Sequence, residues 1–390
     1  MTHDQNIDSF VVTLDELLRF LDSYQNDLFY IDIDPKPPPP DSRHFEITTF
    51  KAEDAWAVLD QVHPGPQDPR ITPQARQLLP AAGELAIGMN IQPKHGFGWR
   101  VVPPEFARCA WLRFPFMSSA AQFGSLEDAF NFYDPIIGAY TSLGTKIMLI
   151  LTHQTYGEGA GWNWDQMDSG KWRSFTPSFV AVAERIAQRY GNRIAAYEIW
   201  NEGDVEPGNP AAVAIPPEEY APLLNQAARV IRTYAPQTKI IFGGLATSPD
   251  KGANYVKKVK SVLGGRLPVD AIGVHPYGVG APGDSSIFAP FGSIQTAIDI
   301  YSDAVPGIPL WLTEVGALGA NDPPYWPSAA TYMQNLFRYL RTPAAAAVPV
   351  VIWYAWSDAM HVEMKTNGVV TARGEPKSPI YETFFNEAAR

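Results

Sequence analysis

The chain has 390 residues, of which 46% are hydrophobic and only 18% charged, with a net charge of −11. That composition supplies a large core, and its acidic balance speaks against nucleic acid and anionic membranes as partners. One cysteine, Cys109, excludes an internal disulfide, and the seven histidines show no HxxH, HExxH or CxxC spacing, so no metal and no cofactor is expected.

The first ten residues, MTHDQNIDSF, lack a basic stretch followed by an apolar run. No window of about 18 apolar residues is present, so no membrane span is predicted. A cytoplasmic location is expected by default, and a secreted one if a leader has been trimmed away. Residues 1–80 then read as an N-terminal extension or small cap. TLDELLRFLDSY (13–24) has helical spacing behind a capping threonine. DPKPPPPDS (34–42) is a proline-rich connector, HFEITTF (44–50) alternates like a strand, and KAEDAWAVLDQV (51–62) reads as a helix. HPGPQDP (63–69) is a second proline-rich turn.

Residues 81–390 follow a different rhythm. Strands are predicted at ELAIGMNI (84–91), CAWLRFPF (109–116), KIMLILTH (146–153) and IAAYEIWN (194–201). They continue at KIIFGGLA (239–246), DAIGVHPY (270–277), PLWLTEVG (309–316) and VPVVIWYAW (348–356). Amphipathic helices lie between them, among them 175–191, 217–235 and 330–342, with 381–389 closing the chain. Near-continuous apolar strands separated by helices indicate a parallel sheet covered on its outer face. Eight such units fit an α/β fold of the (β/α)₈ TIM-barrel type. An open doubly wound sheet is the alternative, but no GxGxxG follows the first strand.

Barrel chemistry sits at the C-terminal ends of the strands. Reading those ends gives Arg113, His153, Asn201 with Glu202, His275 with Tyr277, Glu314, and Trp356 with Trp353 shortly before it. Each has a plainer reading when taken alone: a solvated turn, a structural ion pair, a core histidine, a packed indole. Their joint fall at one end of separate strands is harder to dismiss. Two carboxylates facing each other across a barrel mouth suit glycosidic cleavage, one as acid and one ionised as nucleophile. Arg113 and Tyr277 are placed to hold Glu314 ionised.

IWNE (199–202), HPYG (275–278) and WLTEVG (311–316), supported by RFPF (113–116) and WYAWSD (353–358), resemble clan A glycoside hydrolases. These are retaining enzymes on (β/α)₈ barrels. The chain is loosely similar both to the β-xylosidase and α-iduronidase family and to cellulase-type families. The resemblance implies Glu202 as acid/base, Glu314 as nucleophile, and Asn201 as the amide gripping the sugar 2-hydroxyl. Arg113 and Tyr277 would support the nucleophile, and His153 and His275 would contact sugar hydroxyls. Trp356 would be the platform under the sugar, with Trp353 as its alternative. The substrate class implied is an oligo- or polysaccharide cleaved by double displacement, with the two carboxyl groups roughly 5–5.5 Å apart. For Asn201 and Glu202 both to face the site, alternation must fail locally, so a bulge is predicted there. Glu198 is then a lower-layer residue, a salt-bridge partner, or a rival for the acid. NEGD stands where many cellulase-type members have Asn-Glu-Pro. Trp99, Trp162 and Trp164 either line sugar subsites or cover the barrel top. A transglycosidase using the same residues and a non-catalytic carbohydrate-binding barrel are the competing functions.

Overall fold

The computed structural model describes residues 10–13, 32–33, 44–48, 85–93, 103–319, 322–360 and 367–389. The chain divides into two compact units, Met1–Thr72 and Pro73–Arg390. The first holds a small antiparallel sheet of β1 (Phe10–Thr13), β2 (Asp32–Ile33) and β3 (His44–Thr48), in the order β1-β3-β2. The alternating stretch at 44–50 is thus a strand over 44–48, and Thr13 ends β1. The rest of the helix expected over 13–24, the helix over 51–62, both proline-rich connectors and Trp99 lie outside the described residues.

The second unit is a closed barrel of eight parallel strands. They are β4 (Ala86–Asn90), β5 (Trp111–Pro115), β6 (Lys146–Leu151), β7 (Ala196–Asn201), β8 (Lys239–Leu245), β9 (Ala271–Val274), β10 (Leu310–Val315) and β11 (Val350–Trp353). Every neighbouring pair runs parallel, and β11 closes onto β4. Their outer faces are covered by α1 (Leu126–Ser142), α2 (Ser169–Tyr190), α3 (Pro217–Tyr234), α4 (Pro249–Val262), α5 (Ile294–Ala304), α6 (Trp326–Leu340) and α7 (Ile380–Ala388). Between β4 and β5 the described residues hold a 3₁₀ turn, Pro104–Arg108, in place of an α-helix.

Local chemistry sets the helix ends. Asp168 accepts a hydrogen bond from the Lys171 amide and starts α2 six residues before the predicted boundary, leaving Pro177 inside the helix. The cost is one backbone bond, because Pro177 has no N–H to donate. Proline in the first turn opens α3 and α4, where a missing N–H costs nothing.

The barrel interior is layered. Its floor is apolar, built from Trp111, Met148, Ile241, Trp311, Val350 and Ile352 with small alanines. The Trp111 and Trp311 rings meet edge to face at 5.0 Å. Side chains alternate along a strand, so the next inward position lies two residues further on. Those positions are Arg113 after Trp111, Glu198 after Ala196 and Thr313 after Trp311. The apolar floor therefore carries a buried polar layer directly above it, and the site stands on that layer.

Candidate active site

Arg113 lies at the centre of the polar layer and is fully buried. Its Nε donates to Glu198 Oε2 at 2.6 Å. Nη1 donates to Glu314 Oε1 at 2.6 Å and to Asn90 Oδ1 at 2.8 Å. Nη2 donates to Asn201 Oδ1 at 2.8 Å and lies 3.4 Å from His275 Nε2. One guanidinium thus gathers side chains from β4, β7 and β10, with His275 just past β9. Burial would lower the Arg113 pKa, but the two adjacent carboxylates outweigh it and raise the value further, so the group is a fixed cation.

Glu314 accepts a second hydrogen bond at Oε2 from the Tyr277 hydroxyl, at 2.7 Å. Burial alone would push its carboxyl up. The charges of His275 and Arg113, with the hydrogen bonds from Tyr277 and Arg113, outweigh burial and hold it below its ordinary value. Glu202 sits opposite. Its Oε1 lies 2.7 Å from His275 Nδ1. With Oε1 the unprotonated, accepting oxygen of Glu202, Nδ1 carries a hydrogen, and Nε2 is left to pair with the Thr313 hydroxyl at 3.1 Å. Burial lowers the His275 pKa, but Glu314 and Glu202 more than compensate and raise it.

Two consecutive residues face inward on both β7 and β10, by different devices. On β10 the pairing with β11 slips between Leu312 and Val315, so Thr313 and Glu314 both point into the barrel. On β7 the register with β8 stays even from Ala196 to Asn201. The bulge expected there is absent from that pairing, and positive φ angles at Trp200 (74°) and Glu202 (54°) take its place. Trp200 turns outward against Trp172, Phe175 and Phe179 of α2. Asn201 and Glu202 are left facing the site. Glu198, the rival acid, is fully buried beneath them and paired with Arg113. It has no route to a bound ligand.

The tetrapeptide NEGD has a local reason. Asp204 accepts from the backbone amides of Ala246 and Thr247 at 3.0 and 3.1 Å, and from the Thr247 hydroxyl. This ties the chain after Glu202 to the end of β8. A Cβ at Gly203 would lie 2.6 Å from Ile215 Cγ2, so glycine is required for that close approach. Gly244 on β8 is constrained harder: a Cβ there would stand 2.0 Å from His275 Nε2.

The site opens into a cavity of about 1270 Å³, with Arg113, Asn201 and Glu314 among its lining. His153 lines it too, its ring against Trp164 and Trp200, with its pKa lowered by burial against the opposing charge of Glu158. Trp162 and Trp164 both line the cavity while packing on Phe175. The two expected platforms do not line it. Trp356 packs against Phe106, Tyr381 and Phe385, and Trp353 against Tyr332 and Phe337 of α6. Trp353 occupies an outward strand position, and Trp356 closes the gap between the barrel and α7. The aromatic ring that lines the cavity from this side is Tyr354, 6.2 Å from the Tyr277 ring. The structure therefore brings together Arg113, Asn201, Glu202, His275, Tyr277 and Glu314, with His153 on the cavity wall. It leaves Trp353 and Trp356 in the core. Asn90 follows the same strand-end rule as the others and completes the set, while Thr313 and Gly244 carry no signal in a single sequence.

Among the described residues, Glu202, His275 and Glu314 could each offer one ligand atom, all within 4.8 Å of one another. The Arg113 guanidinium already bonds Glu314, and a second cation beside it would be repelled. The arrangement suits proton transfer and nucleophilic attack better than metal binding. No helix among the described residues is long and apolar enough to cross a membrane.

Comparison with known proteins agrees with this fold. The family model described as Cellulase (glycosyl hydrolase family 5) matches residues 108–359. No curated protein sequence matches. Among solved structures, an endo-1,4-β-xylanase from Penicillium canescens superposes with a TM-score of 0.57 at 12% identity, covering 81% of this chain and 96% of that one. Xylanase 10B from Thermotoga petrophila, solved with xylobiose, gives 0.55 at 14% identity, with 79% and 94% covered. A family 39 glycoside hydrolase from Bacteroides cellulosilyticus gives 0.53 at 16% identity, covering 79% and 64%. At these identities the superpositions speak for the fold.

Proposed function

Because the chain belongs to glycosyl hydrolase family 5, the cellulase family, we propose that it cleaves β-glycosidic bonds of a polysaccharide or oligosaccharide with retention of configuration. The observation that carries this reading is the pairing of Glu314, held ionised by Arg113 and Tyr277, with Glu202 on the far side of His275. An oxygen of each carboxyl lies within 4.8 Å of the other. That short span suits double displacement, which needs roughly 5–5.5 Å between carboxyl groups, better than inversion, which must leave room for a water.

In this reading the Glu314 carboxylate attacks the anomeric carbon as Glu202 gives its proton to the departing glycosidic oxygen. A glycosyl-enzyme ester forms and the aglycone leaves. Glu202, now a carboxylate, takes a proton from water. The resulting hydroxide-like oxygen displaces Glu314 and restores both groups. His275 Nδ1–H fixes the orientation of Glu202 throughout. Asn201 Oδ1 is committed to Arg113, so its amide hydrogens are free to turn toward a sugar hydroxyl. Tyr354 supplies the aromatic surface assigned in the sequence to Trp356. The xylanase neighbours and the cellulase family point to β-1,4-linked xylan- or glucan-type chains.

The test is hydrolysis of aryl β-glycosides, xylan and soluble cellulose derivatives by the wild type, E314A and E202A. Proton NMR of the first-formed product reports the anomer. The expected result is a β-anomer first, complete loss in E314A, and in E202A a residual rate only on aryl glycosides whose leaving group needs no proton. An α-anomer first, or full activity in E314A, refutes the assignment.

A further inference from the structure

Glu198 is the buried acid that the mechanism above does not use. It is fully buried, bonded through Oε2 to Arg113 Nε at 2.6 Å, while Oε1 has no hydrogen-bond partner among the described residues. A buried carboxylate with one oxygen unpaired is expensive to retain, so its presence asks for a reason. The fold makes room for it. A Cβ at Gly273 on β9 would lie 2.6 Å from Glu198 Oε1, so β9 carries glycine where a side chain would displace the acid.

We propose that Glu198 is a positioning residue for the nucleophile, dividing the charge of Arg113 so that Glu314 is held ionised but not fully neutralised. The proposal rests on the assignment of Glu314 given above. One guanidinium serves two carboxylates, Glu198 at Nε and Glu314 at Nη1. Its single positive charge is therefore offset before Glu314 draws on it, and the trio of one cation and two anions is negative overall. A carboxylate facing an unshared guanidinium is a weaker nucleophile, because the electron pair that must attack is more strongly stabilised. Sharing the cation also fixes the guanidinium plane. With Nε held from below by Glu198, Nη1 and Nη2 are aimed at Glu314 and Asn201 together.

The other groups facing this system can be named. Arg113 comes from β5 and Glu198 from β7, with the Tyr220 phenol of α3 nearby. Glu314 on β10 is faced by Arg113, by His275 and Tyr277 past β9, and by Glu202 past β7. Of the carboxylates, Glu198 alone is out of reach of a bound sugar, so changing it perturbs the shared charge without removing a contact to substrate.

The experiment compares E198Q, which keeps shape and removes charge, with E198D, which keeps charge and shortens the reach. Carbon-13 titration of glutamate side-chain carboxyls, assigned by the signal lost in E314Q, reads Glu314 without turnover. In E198Q the Glu314 pKa should fall by roughly half a pH unit or more. The acid limb of kcat/KM on an aryl β-glycoside should move down with it, while kcat drops about tenfold. E198D should leave the titration and the limb in place even if its Tm falls. An unmoved Glu314 titration in folded E198Q overturns the proposal, as does an equal displacement in E198D. Failure of the wild type to cleave any glycoside would instead sink the glycosidase reading, which the titration does not touch.

Discussion

Replacing Arg113 by methionine tests the buried polar layer most directly. The variant keeps much of the side-chain volume and removes the guanidinium from the centre of the site. Glu198 and Glu314 then both lose their guanidinium partner. Glu314 retains the Tyr277 hydroxyl and has His275 nearby, whereas Glu198, with Oε1 already unpaired, retains no hydrogen bond among the described residues. Breaking a buried ion pair costs about 3–5 kcal/mol, so a loss of about 4 kcal/mol is expected near neutral pH. For a barrel of this size that corresponds to a fall in Tm of roughly 6 °C. The pH dependence distinguishes this from a packing defect. In the wild type the Glu314 pKa is depressed, so its contribution is present above the unfolded carboxyl value and fades as pH falls through the folded one. In the variant the part of that contribution supplied by the guanidinium is gone. The deficit should therefore shrink as the pH is lowered, by up to about 1.4 kcal/mol per unit for one proton taken up. Urea unfolding followed by tryptophan fluorescence near neutral pH and near about pH 3, below the ordinary carboxyl value, measures both quantities. A deficit below about 1 kcal/mol near neutral pH, or one independent of pH, would refute the ion-pair account.

Three further outcomes follow from the same geometry. Y277F removes a hydrogen bond that holds Glu314 ionised, so the acid limb of kcat/KM should move to higher pH, opposite to E198Q; a limb that stays in place would show that the phenol does not act on Glu314. G244A places a methyl 2.0 Å from the present position of His275 Nε2 and must displace that ring from Glu202 and Thr313. Its kcat should fall about 10²-fold, in the range general acid–base catalysis supplies, with circular dichroism unchanged. W356A should cost about 3–5 kcal/mol in chemical denaturation through lost packing, whereas Y354A should leave stability largely intact and raise KM for aryl glycosides. The reverse pattern would return the platform to Trp356.

Strand positions were legible because a parallel barrel writes them as apolar runs. Each predicted strand ends within three residues of the observed one on either side. The last overruns β11 because WYAW stays apolar past Trp353, and that overrun hid which of its rings lines the cavity. Which ring of Trp353, Tyr354 and Trp356 faces inward depends on pairing with β4 and β10, which a single sequence does not contain. The same limit hid the β10 slip, since a register is a property of two strands. Local signals failed where tertiary contacts decided: nothing near Trp200 announces a positive φ, which goes with its packing against α2. Asn90, by contrast, sits at a strand end and obeyed the rule that identified Arg113.

On the proposed function, the Asp204 clasp separates chemistry from specificity. Glu202 is anchored on one side by β7 and on the other by the tie from Asp204 to the end of β8, so its carboxyl does not depend on the segment that follows. Residues 205–216 run between that clasp and the start of α3, and several of them line the cavity. Loop grafts confined to this stretch should exchange the preferred glycan while the chemical machinery stays in register, making it the natural place to begin a library.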